Sequence, residues 1–141
     1  PIGAYRWKHT DRALAEQLRL EDEGYPGVLE KGHAAVRFVN PTTGGDIMST
    51  IRAEFHRLRA GAVSAERREV GSRVFQVFEG RGQVVLDGVS RNLEKGDLFV
   101  IPSWITWSLQ AESQFDLFCF SDAPIMERLH LDRTVVNGQS S

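Results

Sequence analysis

Hydrophobic and polar positions along the chain follow a helical period first and an alternating one afterwards. Between Thr10 and Gly24, Leu14 and Leu18 lie four apart among polar neighbours. With Thr10 as N-cap and Gly24 and Pro26 as stop signals, the spacing predicts a helix of about three turns. A short apolar run, Ala35 to Val39, closes on Asn40-Pro41-Thr42-Thr43-Gly44-Gly45, a dense turn signal. From there the period is two. Thr50 to Arg59 sets Ile51, Ala53 and Phe55 against Arg52, Glu54 and His56, which predicts a strand with one buried face and puts His56 on its polar face, solvated or hydrogen-bonded to a neighbour.

The next two β-rich runs, Ser72 to Phe78 and Gln83 to Leu86, are separated by Glu79-Gly80-Arg81-Gly82, which reads as a hairpin. Asp87-Gly88 turns into Val89 to Leu93, Glu94-Lys95-Gly96-Asp97 turns into Leu98 to Ile101, and Phe115 to Phe120 is the last strong strand. Asp122 can cap a short helix through Ala123, Pro124, Ile125, Met126 and Leu129, with proline tolerated in the first turn. Many short strands with Gly-rich turns indicate an all-β sandwich or barrel. The expected division is an N-terminal arm with one helix over residues 1–34, a β-barrel over 35–136, and a frayed tail over 137–141.

Composition narrows the function classes. At 141 residues the chain is one domain with a real core. A net charge of -2 argues against a general nucleic-acid binder. No apolar run approaches the roughly 20 residues needed to span a bilayer, and there is no signal peptide, so a cytoplasmic protein without membrane partners is expected. The lone Cys119 cannot form an internal disulfide and reads as a buried strand residue. The chain opens at Pro1 without an initiator Met, as a fragment or processed product would.

Two runs carry a recognisable spacing. From Gly61, five residues intervene before Arg67; Glu69, Arg73 and Gly80 follow after one, three and six more. From Gly96, five precede Pro102, and Trp104, Trp107 and Ala111 follow. These are the frames of the two cupin motifs, whose family pattern has His, His and Glu at positions 67, 69 and 73, Gly at 104, His at 107 and Asn at 111. The chain resembles a cupin, a jelly-roll β-barrel, that has lost its metal.

Ligand chemistry gives the same answer without the resemblance. A first-row metal needs lone pairs from imidazole, carboxylate or thiolate. A guanidinium has no acceptor and an indole nitrogen only donates. Of Arg67, Glu69, Arg73 and Trp107, only Glu69 can hold a cation, and the flanking arginines repel one. The expected metal site is therefore none, with Glu69 paired to one or both arginines; the plainer alternative is that these charges point to water. Trp104 and Trp107, with Phe75 and Phe99, can line an aromatic pocket; the favoured reading is that Trp107 fills the volume of the lost metal. His9, His33 and His130 lack ligand spacing and are expected at the surface, and Ser103 lies in no nucleophile motif. No catalytic residue is assigned.

A narrower resemblance rests on four ordered strings: Asn40-Pro41-Thr42-Thr43-Gly44-Gly45, Phe75-Gln76-Val77-Phe78-Glu79-Gly80, Pro102-Ser103-Trp104 and Phe120-Ser121-Asp122-Ala123-Pro124. From about Tyr5 to about Val135 the chain is similar to the C-terminal half of gentisate 1,2-dioxygenases. That resemblance implies a bicupin enzyme, with relatives acting on salicylate or 1-hydroxy-2-naphthoate. Such enzymes use Fe(II) held by histidines of the N-terminal cupin to cleave a hydroxylated aromatic ring. None of those histidines carries over to a position here, so no cofactor is expected in this domain.

Two functions follow. On the first, the chain is the metal-free, structural half of such an enzyme, with the N-terminal catalytic cupin and a homo-oligomer as partners. On the second, it is a stand-alone cupin that clamps a small aromatic carboxylate between Arg67 and Arg73, with Trp107 or Trp104 stacked on the ring. The two differ in whether Glu69 neutralises the arginines. An isomerase, which needs an acid and base pair, ranks last because Glu69 is the only interior candidate the sequence offers.

Overall fold

A computed structural model describes residues 6–140; Pro1 and Ser141 lie outside it. Helix α1, Trp7–Asp22, begins a turn earlier than the sequence suggested, with Arg6 at the N-cap and Thr10 buried inside the helix beside Leu14 and Leu18. Polar helix starts need not use a side-chain cap when packing decides, and here the first turn is held down by Trp7 against Phe55 and Phe78.

Eleven strands follow among the described residues: β1 (His33–Arg37), β2 (Arg52–Leu58), β3 (Arg67–Glu69), β4 (Arg73–Glu79), β5 (Gly82–Leu86), β6 (Val89–Leu93), β7 (Leu98–Ile101), β8 (Trp107–Ala111), β9 (Phe115–Ser121), β10 (Thr134–Val136) and β11 (Gln139–Ser140), with helix α2 (Ala123–Arg128) between β9 and β10. They form two antiparallel sheets, ordered β1-β2-β9-β4-β7 and β11-β10-β3-β8-β5-β6. The all-β jelly-roll with an N-terminal helix and a short C-terminal helix is the architecture the sequence implied.

Three local readings change. The barrel's first strand starts at His33, inside the expected 1–34 arm, and α1 is packed on the sheet rather than standing apart from it. The expected frayed tail turns at Asn137-Gly138 and returns as β11 against β10, because both residues adopt the positive φ of a tight turn. The Gly80 turn is not a hairpin: β4 pairs with β7 and β9, and β5 with β6 and β8. The chain crosses there from one sheet to the other, so tightly that a Cβ on Gly80 would stand 1.9 Å from the Gln114 carbonyl oxygen. Asp87-Gly88 is a true hairpin turn, with φ of 46° and 82°.

The strands' alternation builds two cores. Leu58, Phe75, Val77, Leu109, Phe115 and Leu117 fill the barrel. Leu14, Leu18, Ala34 and Phe55 form a second cluster between α1 and the outer face of the first sheet. Helix and sheet are also tied by polar contacts. Gln17 Nε2 donates to the Ala35 carbonyl at 2.8 Å and its Oε1 accepts from Ala35 N at 3.2 Å, so a side chain takes the place of a neighbouring strand at the β1 edge. Arg57 links Asp116 of β9 to Asp11 of α1.

Candidate functional site

Strand β2 sits between these cores, so both its faces are covered, and this reverses the face assigned from its pattern. Ala53 and Phe55 point outward beneath α1 and its surroundings, while Glu54, His56 and Leu58 point into the barrel. His56 is 3% exposed, not solvated. His33, expected at the surface, is 1% exposed and enters the barrel opposite Leu58. Barrel depth removes water from these groups, so each must find a protein partner.

They do so in one chain of contacts. Arg67 donates to Glu30 Oε1 at 2.9 Å, Glu30 also accepts from Ala65 N, and His33 Nδ1 lies 2.9 Å from the same Glu30 oxygen. His33 Nε2 meets His56 Nδ1 at 2.8 Å. Beyond His56, Arg73 Nη1 donates to Glu54 Oε1 at 2.6 Å, while its Nε and Nη2 grip both oxygens of Glu69 at 3.0 and 3.2 Å. The same Nη1 lies 3.6 Å from Cys119 Sγ. The burial of Glu30 opposes its ionisation, but hydrogen bonds from His33 and Arg67 prevail and hold it down at about 2. Burial pushes His33 down to about 4 against the pull of Glu30. Glu54 is held well below the usual carboxylate range: its burial is outweighed by the charge and the hydrogen bond of Arg73. Cys119 is pushed up to about 12 by burial, against the Arg73 charge beside it.

Of the four motif-frame residues, three converge, and two carboxylate partners, Glu54 and Glu30, are new. Arg73 pairs with Glu69 as expected, and also with Glu54. Arg67 turns to Glu30 instead of Glu69. Trp107, 2% exposed, is the register partner of Arg67 across β3 and β8 and packs on Phe75, with ring centroids 5.6 Å apart and the Arg73 guanidinium 5.9 Å above its ring. Phe75 in turn stacks on Phe99 at 5.2 Å. Trp104 does not join this pocket. It sits outside, in a left-handed conformation (φ 64°), between the guanidiniums of Arg68 at 4.8 Å and Arg133 at 5.4 Å. Ser103 beside it accepts from Gly71 N, a loop latch rather than chemistry.

The donor set at positions 67, 69, 73 and 107 does not fit Fe(II): only Glu69 has lone pairs to offer, and both its oxygens are on Arg73. A carboxylate clamp formed by Arg67 and Arg73 would need both guanidiniums free, whereas each is already bound to carboxylates. Glu30, His33, Glu54 and Cys119 were not foreseen as site residues. Only Glu54 had a signal, and not a local one: an amphipathic helix that buries its apolar stripe on the outer face of β2 makes that strand send its polar face into the barrel.

No protein-family model matches the chain. It is 57% identical over 134 residues to a gentisate 1,2-dioxygenase of Streptomyces sp., covering 95% of this chain and 37% of that protein. It is 28% identical over 137 residues to a 5-aminosalicylate 1,2-dioxygenase of Comamonas sp., covering 94% and 35%. A crystal structure of salicylate 1,2-dioxygenase from Pseudaminobacter salicylatoxidans superposes with a TM-score of 0.95 at 69% identity, over 99% of this chain and 40% of that one. A cupin-2 domain from Rhodospirillum rubrum, at 16% identity and a TM-score of 0.56, shares the fold. The chain thus has the cupin fold and spans well under half the length of the dioxygenases it resembles.

Proposed function

We propose that this chain is the metal-free, C-terminal cupin half of a bicupin gentisate 1,2-dioxygenase-like enzyme, and that its role is structural: it holds the Fe(II)-bearing catalytic cupin and the oligomer together. The observation that carries this is the Arg73 guanidinium clasped between Glu54 and Glu69 in the barrel, where it takes up the one donor the motif frame retains. A pocket closed by its own ion pairs is poor at taking up iron or an aromatic acid.

The outer face of the first sheet supports a docking role. Val100, Val74 and Phe120 stand in one row across β7, β4 and β9, with Leu98 in the next. Helix α1 lies on β1 and β2 and reaches only Phe78 at the end of β4, leaving Leu98 64% and Val100 50% exposed. Such a bare apolar strip is the usual mark of a surface that another domain covers. No helix among the described residues is long and apolar enough to cross a membrane.

The test is metal content and turnover of the purified chain after anaerobic incubation with excess Fe(II) and desalting. The proposal expects iron near background and no ring cleavage of gentisate, with cleavage appearing only when the iron-bearing half is co-expressed. Stoichiometric iron with gentisate turnover by the chain alone would overturn it.

A further inference from the structure

We infer that Arg73 is a built-in cation occupying a latent divalent-metal site made by Glu54, His56 and Cys119, and that its guanidinium is what keeps a borderline metal such as Zn(II) or Co(II) from binding there. This rests on the metal-free reading above and adds a site that is not the motif frame: none of the three residues stands at position 67, 69, 73 or 107.

The three offer one carboxylate oxygen, one imidazole nitrogen and one sulfur, all within 4.8 Å of one another. That is a donor set suited to Zn(II) or Co(II), and three protein ligands leave a fourth position for water. His56 is already oriented as a ligand. Glu30, ionised, accepts from His33 Nδ1, which leaves His33 Nε2 as an acceptor and makes His56 Nδ1 the donor to it. The lone pair of a neutral His56 is then on Nε2, which is buried without a hydrogen-bond partner and lies 3.6 Å from Glu54 Oε1. A ring nitrogen fixed from behind by a chain ending in a carboxylate, with its other nitrogen bare, is how proteins prepare a metal-binding histidine.

Arg73 stands in the way. Its Nη1 is 2.6 Å from Glu54 Oε1 and 3.6 Å from Cys119 Sγ, so it touches two of the three ligands. Charge tells the same story. Glu54 and Glu69 bring two negative charges and Arg73 returns one positive, leaving a net charge of −1; without Arg73, a divalent ion with the same two carboxylates and the Cys119 thiolate restores that same −1. Binding would form a metal–sulfur bond and release the Cys119 proton to solvent.

The experiment is anaerobic titration of the full 141-residue chain with Co(II), following the thiolate-to-cobalt charge-transfer absorption in the near-ultraviolet. The expected result is an equimolar, saturable band for Arg73→Ala that is absent from the unaltered chain and from Arg73→Ala/Cys119→Ser. Because Arg73→Ala leaves two carboxylates unpaired, Arg73→Gln, which keeps most of the side chain's bulk, is run beside it, and both are refolded with and without Zn(II). Folding or a raised Tm that depends on Zn(II) supports the site. Failure of both variants to fold with or without Zn(II), or folded variants without the cobalt band, overturns it while leaving the metal-free reading to the iron measurement. A cobalt–thiolate band in the unaltered chain would show that Arg73 does not exclude the metal, and would overturn both.

Discussion

His33 and His56 meet inside the barrel through a single hydrogen bond, Nε2 to Nδ1 at 2.8 Å, and Glu30 on the far side of His33 decides which ring supplies the proton. The pair is tied through Arg67 to the motif frame and lies within reach of Glu54, so one contact joins the N-terminal connection to the heart of the barrel.

A pH dependence follows from His33. Its folded pKa is depressed from 6.5 to about 4 by burial, so between these values the unfolded chain binds the proton that the folded one refuses. Stability is therefore full above pH 6.5, falls as the pH drops through that window, and levels off for this group below about 4. The shift corresponds to roughly 3 kcal/mol at most. Glu30, held down at about 2, adds a loss of the same sign starting lower, below the ordinary carboxylate value of 4.5. Tm measured from pH 7.5 to pH 4 should fall steadily for the unaltered chain and less steeply for His33→Phe; equal slopes would remove His33 from the account.

Arg73 should be a costly charge to delete. Breaking a buried ion pair costs about 3–5 kcal/mol, and partial solvent access to the three side chains reduces that to about 2–4 kcal/mol here. Arg73→Met should lower the unfolding free energy by that amount, read as a lower urea midpoint at unchanged slope, and adding Glu54→Gln with Glu69→Gln should recover much of it. If the triple variant is no better than the single one, the loss lies in packing on Trp107 instead of charge.

Two glycines separate conformational strain from collision. Gly96 has φ 93° with open space where a Cβ would go, whereas Gly80 has φ 89° and would drive its Cβ onto the Gln114 carbonyl at 1.9 Å. Gly96→Ala should cost about 1–2 kcal/mol for its backbone alone. Gly80→Ala should cost clearly more, because the sheet-to-sheet crossover and the β9 entry have to move apart. Denaturant midpoints of the two variants compare them directly.

The same contrast explains what the sequence could reveal. The positions of β2, β4, β5, β6, β7 and β9, the Asp87-Gly88 turn and the motif frame were legible because they depend on local alternation, turn residues and fixed spacing, whereas the short β3, β8, β10 and β11 were not. The pairing of β4 was not, since Glu79-Gly80-Arg81-Gly82 has hairpin composition whether the chain turns back or crosses over. Nor was the burial of His33 and His56. Alternation in β2 tells that its two faces differ, but which one meets the barrel depends on where α1 lands, a long-range fact. The Arg73–Glu69 pair was foreseen because four residues of sequence separate them; Glu54 and Glu30 reach the arginines from distant strands and loops, and no local pattern marks them.

The structural role makes a last demand on the outer sheet face. Val100, Val74 and Phe120 form their row on the side away from the barrel core, so a charge there displaces little inside the domain. Val100→Lys and Phe120→Glu should each leave the chain's own stability within about 1 kcal/mol, as exposed substitutions usually do. A contact surface behaves differently: a charge set into an apolar patch that a partner must dehydrate is unpaired and costly in the complex alone. Co-expressed with an iron-bearing cupin half, the unaltered chain should co-purify with it and both variants should not, with Tm of the isolated domains unchanged. Full co-purification by both variants would move the docking surface elsewhere, and a collapse in the domain's own Tm would show that the row belongs to the core.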